Sequence, residues 1–155
     1  MNGEVICEVM LCAYKDLEVR CAVVEDKILR VAVSSMTMNT YQAVEKLFAL
    51  NNEKIAYCNT KVIIDEALQQ MRNKSVLVAH YIHGKTCGEI AKKLNVTERD
   101  IELVITRQRQ KVLRNILKRY SIETLFSIIS DSKWLRHKYS QFINKADGKN
   151  IPPLP

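Results

Sequence analysis

Three observations predict an all-α protein. The 155 residues include only four glycines and three prolines, and Gly3 and all three prolines lie near the ends of the chain, so the interior has few turn or strand signals. Apolar residues recur at gaps of three and four, which is the spacing of one helix face. Two threonines are each followed three residues later by an acid, an arrangement that marks a helix start. These signals divide the chain into an N-terminal helical region (1–73), a central module (74–120), C-terminal helices (121–147) and a flexible tail (148–155).

Two helical stretches are predicted in the N-terminal region. The first has apolar residues at alternating gaps of four and three, which form an a/d-type seam: Met10, Tyr14, Leu17, Cys21, Val24, Ile28 and Val31. The second runs from about Tyr41 to Arg72, with apolar positions Tyr41, Val44, Phe48, Ile55, Val62 and Met71. It could bend or split at Asn51-Asn52. We expect the two stretches to pack as an antiparallel hairpin, because each alone would leave an apolar stripe exposed. The pattern allows the seam to close within one chain or between two.

The central module begins with a short apolar helix, "VLVAHYIH", which ends at Gly84. In the segment "GKTCGEIAKKLNVTERDIELVI" that follows, Thr86 with Glu89 and Thr97 with Asp100 each predict a helix N-terminus. Asn95 tolerates the left-handed conformation that ends a helix. The prediction is helix, tight turn, helix, with the second helix running on from Glu98 to Tyr120.

The inner faces of these two helices are predicted to form one small core. Ala91 would lie at their crossing, where only a small side chain fits between closely packed helices. The side chains expected to be buried together are Ile90, Ala91, Leu94, Val96, Ile101, Val104 and Ile105.

Two further helices are predicted near the C-terminus. Ser121 is expected to cap "IETLFSII", and Asp131 is expected to cap "SKWLRHKYSQFINKA". Four aromatic residues follow helical spacing, which favours a role in a small core over a role as a stacking platform for single-stranded nucleic acid. They are Phe126, Trp134, Tyr139 and Phe142. The last eight residues, "GKNIPPLP", are too rich in glycine and proline for regular structure.

The net charge of +7 is concentrated in the second half of the chain. Residues 1–74 hold 9 Lys/Arg and 10 Asp/Glu, whereas residues 75–155 hold 15 and 7. A basic half favours an anionic partner, most often nucleic acid, because neutralising phosphates releases counterions. A merely solvated basic surface is the alternative.

Other functional classes have weaker support. The five cysteines form no CxxC pair, and this usage is typical of a reducing cytosol. No apolar run approaches the length of a membrane span. We therefore expect a cytoplasmic protein without a membrane partner. His80, His83 and Cys87 are zinc-binding residue types, but they have no fourth ligand at a suitable spacing. The sequence has no nucleophile motif and no glycine-rich phosphate loop. We therefore predict no enzyme, no cofactor and no metal.

The segment "VAHYIHGKTCGEIAKKLNVTERDIELVITRQRQKVL" resembles the fourth region of sigma-70 type bacterial sigma factors, whose promoter-binding module has a "GxTxxEIAxxL" helix followed by a recognition helix. It is also similar to sigma-like phage regulators of the ArpU and RinA type. The likeness covers about a quarter of the 155-residue chain. It implies a helix-turn-helix that binds duplex DNA with its second helix in the major groove.

The resemblance implies a set of DNA-contacting residues. Arg99 would bind guanine and Glu102 would accept from cytosine, although Glu98 and Asp100 add further acids that repel phosphates. The cations of the two helices are assigned mainly to phosphates. The predicted site residues are Lys85, Thr86, Lys92, Lys93, Thr97, Arg99, Glu102, Leu103, Thr106, Arg107, Arg109, Lys111 and Arg114. Lys118 and Arg119 are also among the cations assigned to phosphates.

Two functional classes follow. The first is a sigma-like transcription regulator of phage or prophage type that binds double-stranded DNA and uses its N-terminal helices to form a homodimer or to contact RNA polymerase. The second is a helical assembly protein, such as a phage packaging adaptor, that oligomerises through the helical seam.

Overall fold

The computed structural model describes residues 3–146, and over that range the chain is built from α-helices without strands, as predicted. The helices are α1 (Gly3–Tyr14), α2 (Leu17–Ser34), α3 (Thr40–Gln69), α4 (Ser75–Tyr81), α5 (Cys87–Leu94), α6 (Glu98–Leu117), α7 (Ile122–Ser130) and α8 (Lys133–Ala146). The predicted tail, 148–155, lies outside the described residues. No helix within the described range is both long enough and apolar enough to cross a membrane.

A single hydrophobic core joins the three predicted segments. α1 lies at its centre, packed against α3, α6 and α8, and its residues Ile6, Val9 and Met10 are fully buried. Tyr57 of α3 and Ile116 of α6 belong to the same cluster. The central module therefore shares its interior with both ends of the described chain.

The first predicted helical stretch is two helices, so its prediction as one continuous stretch is wrong. The chain turns at Lys15-Asp16, where the N–H of Asp16 donates to the carbonyl of Ala13 at 2.9 Å. The turn lets α1 enter the core while α2 packs along α3. Its sequence contains neither glycine nor proline, and the three-and-four apolar spacing continues across it, so no local signal reveals the break.

α2 and α3 form the expected antiparallel hairpin. Glu25 near the middle of α2 pairs with Lys54 at 2.7 Å, and Glu18 near its start pairs with Lys61, so the two helices run in opposite directions. α3 continues through Asn51-Asn52 as one helix of 30 residues. The split considered at this position does not occur.

Both helices of the hairpin carry exposed apolar side chains. Of the six apolar positions predicted for the second stretch, only Met71 is buried. We call the exposed apolar set the hairpin stripe: Val19, Val23, Leu29, Val33 and Met36 from α2 and the connection after it, and Tyr41, Val44, Phe48, Ile55 and Val62 from α3. At about 100° per residue, Leu29 and Val33 lie to one side of the hairpin-facing Ile28 of α2. Val19 and Val23 lie nearly opposite the hairpin-facing Cys21.

The C-terminal helices cover the other side of the core. Ser121 caps α7 as predicted, because its Oγ accepts the N–H of Thr124 at 3.2 Å. The cap expected at Asp131 is wrong: Ser132 accepts the N–H of Leu135 at 3.3 Å, whereas Asp131 ends α7. The predicted aromatic residues pack against the shared core.

Candidate nucleic-acid interface

Two capping boxes fix the starts of α5 and α6, as the sequence predicts. Thr86 accepts the N–H of Glu89 at 3.2 Å, and the Glu89 carboxylate accepts the N–H of Thr86 at 2.8 Å. Thr97 and Asp100 make the same reciprocal pair, with both hydrogen bonds at 3.2 Å. Hydrogen bonds from the backbone N–H of Thr86 lower the pKa of Glu89, and hydrogen bonds from the Thr97 side chain lower the pKa of Asp100. Both carboxylates are therefore held in their charged form at the two helix starts.

The turn between α5 and α6 depends on Asn95. This residue adopts the left-handed conformation, with φ 55° and ψ 46°, and in residues 3–146 it is the only residue other than glycine with a positive φ. The N–H of Val96 then returns to the carbonyl of Ala91 at 3.1 Å. This geometry satisfies a carbonyl at the end of α5 and reverses the chain within two residues.

The core of the module is smaller than predicted. Ile90, Ala91, Ile101 and Ile105 are buried, and Val104 is partly buried. The predicted burial of Leu94 and Val96 is wrong, because their exposed fractions are 51% and 45%. α5 packs on α4 and α6, and neither helix covers the side chains of Leu94 and Val96.

The outward side of α6 contains most of the predicted DNA-contacting residues. We call it the outer face; it is formed by the exposed residues Arg99, Glu102, Leu103, Thr106, Arg107, Lys111 and Arg114. Helical spacing places Arg99 and Leu103 opposite the buried Ile101 and Ile105. The predicted residues outside α6 are also exposed: Lys85, Thr86, Lys92, Lys93 and Thr97.

Arg109 does not join this set. Its Nη1 donates to the Glu8 carboxylate of α1 at 2.8 Å, and the two side chains are 27% and 30% exposed. The Tyr81 hydroxyl also approaches Glu8, at 3.5 Å. Arg109 therefore ties α6 to α1. The signal that could have identified this contact is the acid in the apolar run "VICEVMLCA", because a carboxylate on a buried helix needs a cationic partner.

The acids at the start of α6 have different roles. Asp100 belongs to the capping box. Glu98 lies against the start of α5, where a Cβ added at Gly88 would come within 2.7 Å of its Oε1. Glu102 is the acid of the outer face, and it does not form an ion pair with any described residue. All three acids are exposed, so the structure does not reduce the repulsion of phosphates expected from them.

A groove lies beside the second half of α6. Its volume is about 630 Å³, and it is formed by the α3–α4 connection and α6. The lining residues are Gln70, Met71, Arg72, Asn73, Lys111, Arg114, Asn115 and Lys118. We call it the basic groove. Sequence reasoning missed the contribution of Arg72 and Asn73, which belong to a segment assigned to the N-terminal region.

The residue types considered for zinc have other surroundings. His80 Nδ1 lies 2.9 Å from the carbonyl oxygen of Lys85, where it helps to fix the connection before α5. Among the described residues, no group of three His, Cys, Asp or Glu side chains is placed to hold a metal ion. Burial raises the pKa of the Cys7 thiol to about 12, so this thiol packs as an apolar side chain.

The module thus combines a tight turn, two capped helix starts and an exposed cationic helix face. These features come from local sequence chemistry together with the packing of α6 on α1 and α3. In comparisons of the chain with protein-family models, curated proteins and solved structures, nothing matches.

Proposed function

We propose that this protein is a transcription regulator that binds double-stranded DNA through α5 and α6, as the resemblance to the sigma-factor module implies. The outer face of α6 carries the argument. Its cations Arg99, Arg107, Lys111 and Arg114 are exposed, and none of them forms an ion pair within the described part of the chain. Unpaired cations on one helix face are suited to an anionic surface.

The length of α6 separates two kinds of contact. Its 20 residues extend over about 30 Å, whereas the major groove is about 12 Å wide. The first turns, with Arg99 and Glu102, would contact base edges. The later cations, Arg107, Lys111 and Arg114, would reach phosphates at the border of the groove.

The connections around α5 would add phosphate contacts. Lys85 precedes the first capping box, and Lys92 and Lys93 lie in the last turn of α5. All three are exposed and close in sequence to the two helix starts. They would contact the DNA backbone on the side of α5, so the module would bind the duplex along both helices.

The hairpin stripe is proposed to bind a second copy of this chain. Tyr41, Phe48, Ile55 and Val62 recur every seven residues along α3, which is the spacing of a helix–helix seam. In a dimer with a two-fold axis, the stripe of one copy packs against the same stripe of the other copy, so the two surfaces have equal length and spacing. Nearby exposed residues carry both signs of charge, including Asp26 and Arg30 of α2, so two hairpins would not repel one another. A dimer would present two copies of the outer face to one duplex.

The same stripe supports the second candidate function, an assembly protein that works by oligomerisation, such as a phage packaging adaptor. The two functions differ in what the basic half of the chain binds. A regulator must bind duplex DNA through the outer face, whereas an assembly protein can form its oligomer without doing so.

The test is a titration of the full chain with a random-sequence duplex at several salt concentrations. With about six phosphate contacts, affinity should fall on the order of 1000-fold between about 50 and 200 mM salt. The Lys111→Gln, Arg114→Gln double variant should reduce the salt slope. The control Lys27→Gln, Lys46→Gln, which removes two charges from exposed positions of the hairpin, should not. A chain that forms large oligomers without binding duplex would instead be an assembly protein.

A further inference from the structure

The basic groove has an unbalanced charge. Four of its eight lining residues are cationic, three carry amides, and none carries a carboxylate. None of the four cations, Arg72, Lys111, Arg114 and Lys118, forms an ion pair with a residue in the range 3–146. Four like charges around one concave surface raise the free energy of the unliganded protein, so the groove attracts an anion.

The ends of two helices do not neutralise this charge. α3 ends at Gln69, just before the groove, and α6 ends at Leu117, beside Lys118. Each helix C-terminus carries the equivalent of about half a negative charge. Together they offset about one of the four positive charges. The remaining excess of positive charge is screened by solvent alone.

The groove also has fixed polar groups. Asn115 is held in place because its Nδ2 donates to the carbonyl of Ala67 at 3.2 Å. Gln70 and Asn73 lie on the opposite wall, in the α3–α4 connection. Amide N–H groups between cations are suited to the several acceptor oxygens of a phosphate.

We propose that the basic groove binds consecutive phosphates of the DNA strand that borders the major groove occupied by the start of α6. This inference rests on the proposed function. The ligand chemistry is that of closely spaced phosphates, which a free polyphosphate compound shares. The strand is favoured because the groove is continuous with the outer face: Lys111 and Arg114 belong to both.

The position of the groove along α6 agrees with this assignment. At 1.5 Å per residue, Lys111 lies about 18 Å and Lys118 about 28 Å beyond Arg99 along the helix axis. Both distances exceed the major-groove width of about 12 Å. A helix with Arg99 at the bases therefore carries these cations past the groove, where the sugar-phosphate backbone lies.

The test uses the full chain with two charges removed from the part of the groove that lies off the outer face, Arg72→Gln with Lys118→Gln. The slope of log affinity against log salt should become shallower by about two, and affinity near 0.1 M salt should fall on the order of 100-fold, on random and preferred duplexes alike. The hairpin control, Lys27→Gln with Lys46→Gln, should leave the slope unchanged. The charge-preserving pair Arg72→Lys with Lys118→Arg should retain most of the slope. Circular dichroism shows that each variant is folded.

The outcomes separate this inference from the proposed function. If the wild type binds duplex and the groove variant matches the hairpin control, the groove inference is overturned and the proposed function stands. If the wild type binds no duplex at low salt, both are overturned. Inorganic tripolyphosphate is titrated in parallel in a thermal-shift assay. Stabilisation of the wild type by tripolyphosphate but not of the groove variant, with equal duplex affinity for both, would assign the groove to a free polyphosphate compound and overturn its assignment to DNA.

Discussion

Arg99 and Arg109 lie on the same helix but in different surroundings. Arg99 is exposed on the outer face, whereas Arg109 donates to Glu8 and connects α6 to α1. In the proposed function, Arg99 serves recognition and Arg109 serves stability, and the two roles predict different responses to truncation.

Arg109→Ala should destabilise the fold. Loss of the guanidinium leaves the partly buried Glu8 carboxylate without its cation, and hydrogen bonds to charged groups contribute about 1.5–3 kcal/mol. Urea denaturation should show a lower midpoint, while the salt slope of duplex binding stays unchanged. The control Lys111→Ala, at an exposed position, should change stability by less than about 0.5 kcal/mol. A smaller salt slope with unchanged stability for Arg109→Ala would place this residue at the DNA instead.

Arg99→Ala should lower affinity for the preferred duplex and leave affinity for random duplex nearly unchanged. A bidentate contact from arginine to guanine contributes about 1–3 kcal/mol of discrimination. The preferred site is first selected from a random pool, and both duplexes are then titrated at one salt concentration. Lys93→Ala is the matched control, because a phosphate contact is lost equally on both duplexes. Equal losses for Arg99→Ala would remove it from base recognition.

Local chemistry was sufficient to predict several single residues. The capping pairs, the left-handed Asn95 and the buried Ala91 each depend on neighbours within a few positions, and the structure confirms them. Leu94 and Val96 were predicted wrongly because local spacing does not reveal whether a neighbouring helix covers a side chain. The contact of Arg109 with Glu8 spans 101 positions, so helix periodicity alone could not indicate it.

At the scale of elements, the starts of α5 and α6 should be sensitive to acid. The pKa values of Glu89 and Asp100 are lowered from their usual 4.5 and 3.8, so their charged forms stabilise the folded state. That contribution is complete above about pH 4.5, the usual Glu pKa, and is lost as the pH falls through the lowered values in the folded protein.

This dependence is measured by thermal unfolding between about pH 5 and 3. The Glu89→Gln, Asp100→Asn double variant can still accept the capping hydrogen bonds but cannot titrate, so its melting temperature should fall less over this range than that of the wild type. Glu45→Gln, at an exposed position of α3, is the control and should follow the wild type. Parallel curves for all three proteins would show that the capping carboxylates do not contribute to the pH dependence.

The boundaries of elements were predictable where a side chain marks them. Threonine or serine begins α5, α6 and α7 in the expected places. The turn at Lys15-Asp16 has no such mark; α1 and α2 separate because their buried faces belong to different neighbours. A break imposed by tertiary packing leaves no local trace when the apolar spacing continues through it.

For the whole molecule, self-association through the hairpin stripe is the main expectation. Light scattering should give about twice the chain mass of 17.9 kDa. Phe48→Glu should give a monomer with unchanged helix content, because Phe48 is 68% exposed within the chain and its replacement disturbs no core contact. Lys46→Glu, also exposed on α3, is the control for added negative charge. A monomeric wild type would assign the stripe to another partner, and RNA polymerase would be the first candidate.

α6 belongs both to the proposed DNA-binding module and to the shared core, because it packs against α1, α3, α4 and α5. We therefore expect the module to open together with the shared core. A ligand that binds only the folded state lowers the population of every opened form that lacks its site. Duplex bound at the outer face should thus slow amide hydrogen exchange in α1, although no residue of α1 belongs to that face.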